Sequence, residues 1–518
     1  MLHPRRTAVF VMSALFAAGG WFFGGRALVA SLRTRIALER LAAAAPQRMP
    51  EARFTALQAG TSVRAGVVTR GPGDDTVLDA RIANVLDVSS AAPEGVRQSA
   101  SAAALVVDRK WRAAVSVLET AAARQNDAAT WSDLAAARYE LAVALDDVEG
   151  LLSALVAADR SRRIDPRNAN ALFNRALILG RLGLRPVAAD AWRECLDAAT
   201  DAGLIADARR RLEANEVETW PAARRELERA ADVGDAAAVE RVVSRFPQDA
   251  RTYGEVIFLT DWAKAYLAAD SREAARQLRI TRAAGAVLRA RGETLLAEAV
   301  AAIDAASGDD ETLRTLAVAQ QAYDVGRDAY RDFQYTEAER MFGVAAAGFA
   351  RGHSAMELVA RAYHAFAMLD HGRTLEGVDA LARLTRVVRA QPTHRALLGL
   401  IQWTSGRSEM LRNRSDDAVA SLQESRAIFT ALGETVNVGA VDGLLAEAYD
   451  RVGRADLAWR HCVDGLRGPG AEGNAYRLQV AIGVGVRMAM DARSWDVAAS
   501  LLDVELAVAA DVRQPALN

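Results

Sequence analysis

The chain has 518 residues, is 51% hydrophobic, 25% charged and 6% aromatic, and carries a net charge of −2 with two cysteines. That composition excludes a disordered chain, which pairs low hydrophobicity with high net charge, and also a cysteine-dense disulfide scaffold and a basic nucleic-acid binder. What remains is a large, Ala-rich, helical protein with room for three or four domains at roughly 100–200 residues each, or for one long repeat array.

The amino terminus opens with a basic tail, residues 1–6, containing Arg5 and Arg6. Thr7 to Gly25 then runs for 19 residues without a charge, and Arg26, Arg33, Arg35 and Arg40 follow. At 1.5 Å per residue such a run nearly crosses a ~30 Å hydrocarbon core, with Trp21, Phe22 and Phe23 at the interface, so it predicts a transmembrane helix or signal anchor. The alternative is a cleavable signal peptide with its processing site at Ala17-Ala18-Gly19. Arginines on both flanks balance, which leaves orientation undetermined. The expected localisation is therefore a single-pass membrane protein, or a secreted or periplasmic one after cleavage.

Residues 26–100 read as a juxtamembrane helix and an extended linker. Arg26 to Ala45 has helical composition and continues the apolar run as a stalk, ended by Pro46 and Pro50. Gly60, Gly66 and Gly71 to Gly73 around short β-branched pieces then predict extended chain.

The body reads as repeats. In Phe173-Asn174-Arg175-Ala176, followed by Leu179, Gly183, Ala188, Trp192 and Cys195, the order of small, large, turn and aromatic positions matches the tetratricopeptide pattern. Small residues are required where two helices cross closely. The second-helix small residue recurs as Ala114, Ala154 and Ala188, in steps of 40 and 34, and as Ala338, Gly377, Ala418, Ala458 and Ala498, in steps of 39, 41, 40 and 40. A step near 40 exceeds the ~34 of the standard repeat and predicts helices lengthened by about half a turn to a turn and a half. The fold class is thus all-α: a tetratricopeptide-like α-solenoid of stacked helix pairs after an N-terminal transmembrane helix. A first block covers 101–215, a divergent helical segment 216–320, and a second block 321–518.

Four segments carry a family resemblance: Lys110 to Ala142, Arg163 to Leu184, Leu295 to Ala306 and Leu444 to His461. By these the chain from Arg53 to Asn518 resembles the amino-terminal repeat region of bacterial proteins that carry a carboxy-terminal CHAT domain, a caspase-like peptidase fold. The resemblance implies repeats that control a peptidase. No catalytic residue of the family can be placed here, because the chain has no strand-rich region holding a cysteine and a histidine. Arg513 to Asn518 reads as the start of another helix, so the chain is expected to stop inside a repeat, and under the resemblance the missing part would hold more repeats and a peptidase domain.

Other site chemistry is weak. Cys195 and Cys462 sit at packing positions, and adjacent His461 and Cys462 would point about 100° apart on a helix. His353, Glu357, His364 and His371 could align in part on one face, yet Glu357 is equally placed to pair with Arg361. No phosphate loop occurs. Paired acids such as Asp146-Asp147 and Asp309-Asp310 suit helix starts.

The expected function is a membrane-anchored scaffold for protein–protein interaction, non-catalytic, without cofactor, metal, nucleic acid or small-molecule substrate. Its alternative is the recruitment part of a CHAT-type peptidase. A protein or peptide partner is expected in the concave groove lined by first helices. Register assigns Asn174, Arg175, Arg361, His364, Asp442 and Glu447 to that groove.

Overall fold

The computed structural model describes residues 26–44, 49–57, 74–215, 219–472 and 475–513. Every regular element among them is helical. The chain divides into two compact units, residues 1–216 with 489–518, and residues 217–488.

The first unit begins with α1 (26–44), followed by α2 (Asp74–Ser89), α3 (Glu94–Val107), α4 (Trp111–Gln125), α5 (Ala128–Leu145), α6 (Val148–Ile164), α7 (Ala169–Arg181), α8 (Arg185–Ala198) and α9 (Ala202–Ala214). Helices α3 and α4, α5 and α6, and α7 and α8 pack as pairs. Acidic and amide side chains fix where helices start: Asp127, Asp147, Asn168 and Asp201 each accept a hydrogen bond from a backbone N–H three residues on. The Asp146-Asp147 pair is such a boundary, Asp146 closing α5 in the left-handed conformation and Asp147 capping α6. Ala114, Ala154 and Ala188 are fully buried. Between α7 and α8, Phe173 and Trp192 meet edge to face at 4.9 Å.

The second unit contains α10 (Trp220–Val233), α11 (Ala236–Arg245), α12 (Pro247–Tyr253), a π-helical stretch Gly254–Phe258 that runs into α13 (Leu259–Leu267), α14 (Ser271–Ala290), α15 (Leu295–Ala305), α16 (Asp310–Arg331), α17 (Tyr335–Arg351), α18 (Met356–Asp370), α19 (Thr374–Arg389), α20 (Arg395–Leu411), α21 (Ser415–Leu432), α22 (Thr435–Arg451), α23 (Ala455–Glu472) and α24 (Ala475–Asp491). From α16 to α23 consecutive helices pair. Where the step is 34 the pair has 13 and 14 residues, in α7 and α8; where it is 40, α20 and α21 have 17 and 18. The longer step is about one extra turn per helix.

Ala338, Ala418 and Ala458 are fully buried at their crossings. Opposite Ala418 stands Gly406, where an added Cβ would lie 2.6 Å from Leu422 Cγ and 3.2 Å from the Ala418 carbonyl oxygen. Gly406→Ala is expected to cost about 1–3 kcal/mol, read as a lower denaturant midpoint. An unchanged midpoint would show that α20 and α21 can part at no cost.

The stretch from α12 to α15 is not a further plain repeat. It closes the amino-terminal ends of later helices. The Glu293 carboxylate accepts hydrogen bonds from the N–H of Ala396 at the start of α20 and of Leu295, at 2.7 and 3.1 Å. Burial pushes its pKa up to about 7, held back by those N–H donors. Gln248 Oε1 accepts from the Asn437 N–H at the start of α22, at 2.9 Å. Beside it the Arg251 guanidinium forks onto Glu434, at 2.7 and 3.0 Å, and reaches Glu255 at 3.3 Å. These caps satisfy N–H groups that a helix cannot satisfy itself. Periodicity is blurred here because the residues serve a seam between distant helices, with partners up to 189 positions away.

The last described helix, α25 (Trp495–Arg513), belongs to the first unit and packs on α6 and α8, with Ala498 buried. The expected start of another helix after it falls on 514–518, outside the described residues.

The membrane localisation must be corrected. Among the described residues no helix is long and apolar enough to cross a membrane. The apolar run at 7–25 that carried the expectation lies outside them. Helix α1 is no bare stalk: it buries Ala30, Thr34, Ala37, Leu38, Leu41 and Ala42. Within 26–100, read above as juxtamembrane helix and linker, α2 and α3 are regular helices, while residues 58–73 are outside the description.

Candidate functional site

Alternate helices of the second unit, α16, α18, α20, α22 and α24, line a cavity of about 710 Å³. Its walls are aromatic and aliphatic, with Tyr330, Tyr363, Phe366, Leu400, Trp403 and Val480, and its polar groups are mainly arginines and aspartates. Two of the arginines lie over rings. Arg327 lies 4.2 Å from the Tyr363 ring centroid and donates to the Tyr323 hydroxyl at 3.0 Å, and Arg477 lies 5.3 Å from the Trp403 ring. Burial opposes the charge of Arg327, but the phenol oxygens of Tyr363 and Tyr323 and the Glu255 carboxylate overcome it and raise its pKa. Arg407 donates to Asp370 at 2.6 Å, and the Tyr330 hydroxyl donates to the same carboxylate. Such a cleft can take an apolar or aromatic side chain between rings and orient polar or acidic groups beside it on guanidinium edges.

Phe333 stands at the rim, 77% exposed, with φ of 60°. Corresponding turns carry Gly183, Gly372 and Gly453 in the same left-handed region, where a side chain is strained. Phe333→Gly is expected to stabilise the protein by about 1 kcal/mol while weakening whatever the cleft binds. Thermal melts read the first effect; a loss of stability would show that Phe333 is held there by packing.

In the first unit the equivalent face is filled by the chain itself. Residues 51–57 cross α9, α7, α5 and α3 without regular structure. Asn174 clamps the main chain of one residue, accepting from Arg53 N–H at 2.7 Å and donating to Arg53 C=O at 2.9 Å. Glu140, Asp133 and Ser99 accept from the N–H of Ala52, Thr55 and Ala56 at 2.8, 2.6 and 3.0 Å. Side chains fill slots as well. Arg53 pairs with Asp207 and covers the Phe173 ring at 4.7 Å, Glu51 accepts from Arg211 and Tyr139 at 2.9 Å each, and Phe54 is fully buried. Burial pushes Asp133 up to about 6, against the hydrogen bonds from Ser99 and Thr55.

The sequence-predicted groove residues scatter. Asn174 faces the groove but is occupied by residue 53. Arg175, one position on and about 100° round the helix, turns away and is buried against Asp159 at 2.7 Å. Arg361 is exposed and pairs with Glu357 on its own helix. His364 is half-buried, with its ring 4.0 Å from where a Cβ on Gly343 of α17 would lie, and burial lowers its pKa. Asp442 is buried between Arg426 and His461, at 2.6 and 2.7 Å. Glu447 pairs with Arg451 and Arg487. None of Arg361, His364, Asp442 and Glu447 lines the cavity of the second unit.

The weaker candidates resolve into packing. His371 lies 2.7 Å from Glu339, and among the described residues no three metal-binding side chains converge. His461 stacks on Tyr449, and burial pushes the thiols of Cys195 and Cys462 up to about 12, far from a reactive thiolate.

A signal for the true lining was present. The 40-residue step applied to first helices gives Tyr363, Trp403 and Gly443, then Leu400, Ala440 and Val480, then Thr404, Leu444 and Val484, all of which line the cavity. In the first unit Ser99, Asp133, Asn174 and Asp207 follow steps of 34, 41 and 33.

Stacked helix pairs with small residues at the crossings and a concave face of alternate helices define a helical repeat protein of the tetratricopeptide-like kind. No family model and no curated protein matches the chain. Among solved structures it is similar to yeast Tom70, 12% identical over 80% of this chain and 76% of that one, with a TM-score of 0.31. It is also similar to the TPR domain of P58(IPK), 11% identical over 69% and 99% with a TM-score of 0.22, and to the APC/C hetero-tetramer Cut9-Hcn1, 13% identical over 86% and 95% with 0.25. At such identities and scores the likeness bears on neither partner nor activity. The resemblance to CHAT-domain proteins and the bacterial source it implied gain no support from these comparisons.

Proposed function

We propose that the protein is a non-catalytic scaffold that binds a protein partner through a peptide or helix laid into the cleft of the second unit. The observation that carries this reading is the cavity of about 710 Å³ lined by first helices, with ring walls and ring-backed arginines. A surface that keeps aromatic rings beside oriented guanidinium groups matches the composition of protein-binding hot spots. The alternative, recruitment for a caspase-like peptidase, rests on segments that here form helix crossings and caps, so they speak for the array and not for a peptidase.

Selection of displayed peptides on the intact chain tests the proposal. Enriched peptides should carry an aromatic or large aliphatic anchor with a nearby carboxylate, and Trp403→Ala should weaken them by about tenfold or more, 1.4 kcal/mol. Enriched peptides that bind Trp403→Ala and Arg407→Ala as tightly as the parent chain would overturn it.

A further inference from the structure

We propose that the groove of the first unit is a receptor for a peptide segment that ends in a turn, that residues 51–57 occupy it in cis, and that a partner segment with the order Glu-x-Arg-Phe displaces them. This inference is independent of the cleft in the second unit. Four main-chain N–H groups and one carbonyl of the segment are met by helix side chains alone: Glu140, Asn174, Asp133 and Ser99. Reading the main chain this way does not depend on the segment's own side chains, so the same row accepts another chain that runs in that direction and turns as Phe54 to Leu57 does, where the Leu57 N–H bonds to the Phe54 carbonyl at 3.0 Å.

Specificity comes from three slots. A carboxylate fits between Arg211 and the Tyr139 hydroxyl, as Glu51 does. A guanidinium fits between Asp207 and the face of Phe173, as Arg53 does. An aromatic side chain fits the closed slot in which Phe54 is fully buried.

A cavity of about 480 Å³ between α1, α3, α4 and α5 borders Thr55 and Ala56 of the segment, with Arg35, Gln98 and Asp127 on its walls. Ser99, Asp133, Asn174 and Asp207 are all buried with residues 51–57 in place, so a chain that replaces the segment must also meet them, since polar groups left buried without partners are costly.

The probe is a fluorescent peptide of residues 49–57, Met-Pro-Glu-Ala-Arg-Phe-Thr-Ala-Leu. The full-length variant Arg53→Glu/Phe54→Ala should bind it about tenfold or more tighter than the unaltered chain, and a control peptide with its arginine changed to glutamate should not bind. A variant that keeps its helical circular dichroism but binds the peptide no better than the parent overturns the proposal. Should the variant not fold, hydrogen exchange on the unaltered chain decides: the amides of Arg53 and Thr55 should exchange about 100-fold faster than those of Ala135 and Ile178 inside α5 and α7. Equal rates would make the segment a fixed part of the core and overturn the proposal. A concentration-dependent dimer that exchanges residues 51–57 between copies would assign the site to a second copy and overturn the partner.

Discussion

Arg251→Ala is expected to destabilise the second unit by about 3–5 kcal/mol, because it leaves the buried Glu434 carboxylate without its cation and takes from Glu255 the guanidinium it is hydrogen-bonded to. Glu434 is 2% exposed and Glu255 6% exposed at their side chains, and both pair with this guanidinium, while Arg327 also lies near Glu255. Burial alone would lower the pKa of Arg251, yet the carboxylates of Glu434 and Glu255 hold it well above its ordinary value, a sign of how strongly the cluster depends on that charge. The seam does more than pair charges, since Glu434 also accepts from Asn437 at 2.6 Å beside the start of α22. At roughly 2–4 °C per kcal/mol the second unit should melt some 6–20 °C lower. The double variant Arg251→Met/Glu434→Leu should lose less than Arg251→Ala, since removing both partners strands only Glu255. A shift under about 2 °C for Arg251→Ala would show that water reaches this seam and that the pair is effectively exposed.

Arg175→Ala is expected to cost about as much, about 3–5 kcal/mol, and to do so without touching any groove. Its partner Asp159, on α6, is 3% exposed at the side chain, so the deletion buries a bare carboxylate. Arg361→Ala supplies the contrast. That arginine is 48% exposed and pairs with Glu357 on the helix surface, so its removal should stay within about 0.5 kcal/mol. Denaturant midpoints of the two variants measure both values; similar losses would contradict the placement of Arg175 in the core.

The contrast shows where the sequence was legible. Small residues at fixed steps marked the helix crossings, because close packing admits few residue types and the constraint recurs in every pair: Ala114, Ala154, Ala188, Ala338, Ala418 and Ala458 are all fully buried. Facing was harder. Asn174 and Arg175 are neighbours of similar polarity, and only the helix phase separates a peptide clamp from a core ion pair. The cleft lining was hidden for another reason, since Tyr363, Phe366 and Trp403 look like core residues and nothing in one helix says that the opposite wall is missing. The seam around Arg251 was beyond local reading, because its partner lies 183 positions away. The groove occupied by residues 51–57 was missed because a short glycine-free stretch after two prolines carries no periodicity that would link it to distant helices.

The proposed role of the second unit is that its first-helix faces receive a partner chain. Hydrogen exchange of the intact protein with a display-selected peptide bound tests it most directly. A bound cleft predicts new protection on α16, α18, α20, α22 and α24, strongest near Tyr363 and Trp403, with α19, α21 and α23 unchanged. Protection confined to those second helices, with none near Tyr363 and Trp403, would contradict it.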